Sequence, residues 1–173
     1  MISIKSRNII VKPTVIICAL TLNLIGTRIS AQEQWDAYQS RTLGQIVKLH
    51  ALELGESRAQ VTFLLTAESF PSKVRVVYTG KSREITPRRR EVISEWAKAR
   101  KVSKEVVDLF EHELLFVEGS KEYWIPVQEQ LIPYLRRDVK TGETVELLVI
   151  WIGARKEMRQ VEWVFLVNEF LHK

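Results

Sequence analysis

The sequence predicts a strand-rich α+β fold, an antiparallel sheet or a small OB-like or SH3-like barrel, with a helical pair between strands and a signal peptide ahead of the domain. Three observations carry this. KVRVVYTG (73–80) alternates Val74, Val76 and Tyr78 with Lys73 and Arg75, the period of a strand with one wet side. ITPRRREVISEWAKARK then places Val92, Ile93, Trp96 and Ala99 at helical spacing. The last two apolar runs, ETVELLVIWIG (143–153) and VEWVFLVNEF (161–170), are apolar on both alternating faces and have to be covered on both.

In chain order, the first element is the apolar run VIICALTLNLIG (15–26), behind the basic residues Lys5, Arg7 and Lys12 and ahead of Arg28, Ser30 and Ala31. That is the three-part layout of a secretory signal peptide with cleavage expected after Ala31. The uninterrupted apolar core is shorter than the roughly 20 residues that cross a bilayer. Residues 1–31 are therefore read as signal peptide, 32–42 as a polar leader, and 43–173 as a single globular domain with no transmembrane span.

Removing the signal changes what composition implies. The chain carries 26 Lys and Arg against 21 Asp and Glu, a formal +5. Lys5, Arg7, Lys12 and Arg28 all leave with the signal, so 22 basic residues remain against 21 acidic, +1. The global electrostatic argument for a nucleic-acid partner disappears. The one cysteine, Cys18, leaves as well, so the domain is expected to be held by its core alone.

Within the domain, GQIVKLHALEL (44–54) and AQVTFLLTA (59–67), joined through a short Gly-containing connection, read as a hairpin. With 73–80 they predict a three-stranded antiparallel sheet. Thr86 as cap and Pro87 at the first position start the helix, and Ser103 starts a second helical piece. ELLFVEGSKEYWIPV (113–127) predicts a hairpin turning at Gly119 and Ser120. QEQLIPYLRRDV reads as a short helical or irregular piece before a turn at Thr141 and Gly142. The closing hairpin is expected at the centre of the sheet.

Motifs of catalysis are missing from the sequence: there is no nucleophile elbow, no H-E-x-x-H, no P-loop and no dinucleotide fingerprint. His50 falls in an expected strand and His172 is next to the last residue. Glu111, His112 and Glu113 carry ligand chemistry, but neighbours on a helix diverge by about 100°, so they need a distant partner to close on one ion; no metal site and no cofactor are expected. Glu118 and Glu122 flank a turn, where charges are ordinarily solvated.

Two features remain as binding candidates. Arg88, Arg89 and Arg90 fall at the expected first helical turn, where positive charge opposes the helix dipole, so the cluster either begins before the helix or touches an anionic partner such as envelope material; the competing reading is a solvated helix face. Tyr123 and Trp124 are adjacent on a strand and point to opposite faces, and an exposed one offers a stacking surface to a sugar or peptide. Trp151 and Trp163 are expected in the core.

The first functional reading is an exported, periplasmic or extracellular, non-enzymatic binding or assembly module for a protein, peptide or envelope polymer. The second is a small exported hydrolase using Glu and Asp as acid and base, which predicts two carboxylates in one cleft with perturbed ionisation. A nucleic-acid binder requires that the opening run not direct export.

Overall fold

The computed structural model describes residues 38–55, 61–66 and 71–171. The expected signal peptide, most of the expected leader, and His172 lie outside the described residues. The elements are β1 (Gln39–Ser40), α1 (Leu43–Gly55), β2 (Val61–Leu65), β3 (Pro71–Glu84), α2 (Pro87–Arg100), α3 (Lys104–Val107), β4 (His112–Glu118), β5 (Lys121–Val127), a 3-10 turn (Glu129–Leu131), α4 (Ile132–Asp138), β6 (Thr144–Glu157) and β7 (Gln160–Leu171).

Residues 44–54 are helical, not the expected strand. Their apolar positions satisfy two periods at once, and helical spacing buries Leu43, Ile46 and Leu54 while leaving Leu49 and Leu52 exposed. The start is fixed by a reciprocal cap. The Gln45 N–H donates to Thr42 Oγ1 at 3.0 Å and the Thr42 N–H to Gln45 Oε1 at 2.8 Å. The next amides, of Leu43 and Gly44, donate to Glu118 Oε1 and Oε2 at 2.7 and 2.9 Å. A carboxylate 75 residues away in the chain thus occupies the positive end of α1. Glu118→Ala is expected to lower stability by about 1–2 kcal/mol in urea unfolding, with α1 amides exchanging faster than those of β6.

The first three expected strands do not form a sheet of their own. β2 pairs antiparallel with the distal half of β6, Leu65 opposite Gly153, while β3 pairs with the proximal half of β6, Pro71 opposite Ile150. The other edge of β3 pairs with β4 and, in parallel, with β1, so residues of the expected leader join the sheet. β4 pairs with β5, β5 meets β7 in parallel at Val127 and Val167, and β7 runs antiparallel to β6. The sheet is therefore mixed and seven-stranded, and the pairings β3–β4–β5–β7–β6–β3 form a closed circuit.

The apolar character of the closing hairpin on both faces follows from this placement. Val145, Leu147, Val149 and Trp151 of β6 join Val74, Val76, Tyr78, Leu114, Phe116, Ile125, Phe165 and Val167 inside the circuit. Leu43 and Ile46 of α1 and Ile132 and Leu135 of α4 pack into the same cluster. On the other face, Ile152, Val164 and Leu166 meet Val92 and Ile93 of α2 together with Ile85 and Phe110. The hairpin is central, as its sequence pattern requires.

The helical pair lies between β3 and β4 as expected. Pro87 occupies the first turn of α2 after Thr86, whose hydroxyl makes no capping bond. α3 is a single turn of 4 residues after Ser103, too short to lie along a nucleic-acid groove as a recognition helix.

Candidate functional site

The first turn of α2 is fixed by acidic groups of its own chain. Arg88 donates to Gln160 Oε1 at 2.5 Å and pairs with Glu157 at 3.0 Å. Arg89 pairs through Nε with Glu162 at 3.0 Å and through Nη1 with Glu113 at 2.7 Å, and also donates to the Trp124 carbonyl. Arg83 brings a second guanidinium to Glu113, Nε to Oε1 at 2.5 Å. Glu113 is 0% exposed and Arg89 12%. Arg155 adds pairs with Glu91 and Glu157, at 3.0 and 2.8 Å. Hydrogen bonding and charge from Arg155, and then the charge of Arg88, hold the Glu157 carboxyl below its ordinary range.

The basic cluster lies within α2 and does not precede it; Arg88 and Arg89 are paired inside the chain with the β6–β7 hairpin and β4, while the Arg90 side chain is exposed. Two of these contacts, Arg88 with Gln160 and Arg89 with Glu162, tie α2 to residues more than 70 positions away in sequence.

Tyr123 and Trp124 do point to opposite faces. Tyr123 packs against the inner cluster, and burial, followed by the charge of Glu118, raises its pKa. Trp124 is half-buried on the outer face, where the Arg83 guanidinium sits 4.0 Å above its ring. Arg83 in turn is held by Glu113, so the stacking surface of Trp124 already carries a cation from its own chain. Trp151 is buried, stacked on His50 at 3.9 Å and 21°, with Trp163 at 6.2 Å.

Glu118 and Glu122 share no cleft: Glu118 caps α1 and Glu122 is exposed. Of the 111–113 triplet, Glu113 turns to the arginines, while Glu111 and His112 gather with Glu129 of the 3-10 turn.

Two clefts lie among the described residues. One, of about 310 Å³, lies where β1 and the start of α1 meet β3, with Arg41, Lys73 and Arg75 beside Thr42, Gln45 and Glu146. Arg75 and Glu146 are direct cross-strand partners, which offsets part of its positive charge. The larger, about 650 Å³, is lined by Leu131, Tyr134, Asp138, Glu169, Phe170 and Leu171. Tyr134 is 52% exposed at its rim. Arg137 pairs with Asp138 at 2.6 Å and lies 5.1 Å from the Tyr134 ring centre. Burial raises the pKa of Glu169.

None of the residues of this larger cleft is among the sequence-derived candidates, yet a signal for Tyr134 exists. Ile132 and Leu135 share the buried side of α4, and helical spacing places Tyr134 off that side. The approach of β7 to α4 has no such local signature. No protein family, curated protein or solved structure matches this chain.

Proposed function

We propose that the protein is an exported, non-enzymatic binding module on a small OB-like barrel, and that it takes a peptide or protein segment in the cleft between α4 and the end of β7. The closed five-strand circuit with a single parallel contact, and a helix packed into the interior between its third and fourth strands, support the OB-like reading. Lys5, Arg7, Lys12, the apolar run 15–26 and Ala31 support export.

The observation that carries the binding reading is the lining of the larger cleft. Leu131, Phe170 and Leu171 give it apolar walls, Tyr134 an accessible ring, and Asp138 and Glu169 two carboxyl groups. It is an open groove on the surface and not an enclosed pocket, a shape that suits a chain segment better than a small molecule. Arg137 already donates to both Asp138 oxygens and lies beside the Tyr134 ring, so the carboxyl group offered to a ligand is that of Glu169, which fits a side chain with an apolar stem and a cationic head.

A second reading, an exported hydrolase, is favoured by the same pair of carboxyl groups, one with ionisation altered by burial. Capture from an envelope or secreted extract separates the two. The module is expected to retain a protein or peptide unchanged in mass, and Tyr134→Ala to lose it. Fragments released by the wild type and not by Glu169→Gln would establish the hydrolase, and equal capture by wild type and Tyr134→Ala would reject the cleft. Mass spectrometry of the mature protein is expected to find Gln32 at its N-terminus outside the cytoplasm; full-length intracellular protein would overturn export.

A further inference from the structure

We propose that Glu111, His112 and Glu129 form a binding site for a first-row divalent cation such as Zn²⁺. The three offer one ligand atom each, all within 4.8 Å of one another. Adjacent residues 111 and 112 need a partner from elsewhere in the chain, and the 3-10 turn after β5 delivers it. One imidazole nitrogen with two carboxylate oxygens is a donor set suited to borderline divalent ions, Zn²⁺ among them.

His112 Nδ1 and Glu129 Oε1 are in hydrogen-bond contact at 2.9 Å; two ligands of a tetrahedral Zn²⁺ at about 2.1 Å are separated by about 3.4 Å, so a few tenths of an ångström of opening turns this contact into a pair of ligands. The Glu129 oxygen is also oriented by a donor outside the donor set, the His112 amide N–H at 2.9 Å, as carboxylate ligands of metals commonly are. The backbone around the site is fixed: the Glu129 N–H donates to the Leu109 carbonyl at 2.9 Å and the Ile85 N–H to the Glu111 carbonyl at 3.1 Å. Glu111 is exposed and offers the third ligand atom, within 4.8 Å of the other two. Glu84 is the cross-strand partner of His112 and adds negative charge nearby.

On binding, His112 Nδ1 presents its lone pair to the cation, so a proton at Nδ1 moves to Nε2. The side chains of His112 and Glu129 are 41% and 36% exposed, which leaves the remaining coordination positions open to water.

The test is calorimetric titration of the purified protein with ZnCl₂, with Co²⁺ absorption as a second readout. One equivalent is expected to bind, and His112→Ala and Glu129→Gln are each expected to weaken it by about ten-fold or more, with unchanged thermal melts. His50→Ala is expected to leave affinity within about two-fold, because it removes no ligand. Absence of Zn²⁺ binding by the wild type, equal binding by both site variants, or loss on His50→Ala would each overturn the site.

Discussion

Glu113→Ala is expected to lower the free energy of unfolding by about 3–5 kcal/mol, the loss that follows when one partner is taken from a buried ionic group. Glu113 is 0% exposed and holds two guanidinium groups, one on each oxygen. Its removal strands the two unequally. Arg83 can turn to solvent, at the cost of its position above Trp124. Arg89 stays confined between α2 and the sheet with Glu162 as its remaining carboxylate partner. Urea unfolding reads the loss, and Trp124 emission should shift as the guanidinium above the ring is released. Two comparisons test the cause. Arg90→Ala, on the exposed neighbour, should stay within about 0.5 kcal/mol. Replacing Glu113 and Arg89 together by apolar residues of similar volume should recover much of the stability, since the desolvation penalty of the pair then disappears with it. A loss below about 1 kcal/mol for Glu113→Ala would show that the pairing is not a buried one.

The two-sided apolar pattern of residues 143–153 and 161–170 made their central position legible, because a strand covered on both faces leaves that mark along its own length. The same holds for α2, the hairpin at Gly119–Ser120 and the alternating face of β3. Residues 44–54 misled because Ile46, Val47, Leu49, Ala51, Leu52 and Leu54 fit a strand about as well as a helix; the discriminating sign was the Thr42 and Gln45 pair at capping spacing, at the very start of the ambiguous stretch. What no local pattern carries is register. Arg83, Arg89 and Glu113 look like three unrelated charges until β3 and β4 pair Arg83 with Glu113 and α2 folds back over them. Likewise, Glu111 and His112 acquire Glu129, and α4 meets Glu169, only through the topology. Core and turns are written in short segments; the site chemistry depends on long-range closure.

Gly153→Ala is expected to cost about 2–5 kcal/mol, combining backbone strain with overpacking. Gly153 sits where β6 leaves β3 and takes up β2: its pairing with β3 ends at Ile150, its pairing with β2 starts at Gly153, and its register against β7 shifts between Trp151 and Gly153. Its φ is +151°, and a Cβ built there would lie 2.4 Å from the Leu64 carbonyl oxygen and 3.2 Å from the Leu65 Cα. Those are backbone atoms of the paired strand and cannot swing aside as the end of a flexible side chain can. Gly142 is the control: its φ is +90° but nothing lies within 4 Å of an added Cβ, so Gly142→Ala should show only the conformational part, about 1–2 kcal/mol. The damage at Gly153 should also be local, because β2 pairs with β6 alone while β6 is held further along by β3 and β7. Hydrogen exchange should therefore accelerate at residues 62–65 before it does at 145–150. Equal stability of Gly153→Ala and wild type would mean that β2 does not approach β6 this closely, and the branch at which β6 changes partners would have to be redrawn.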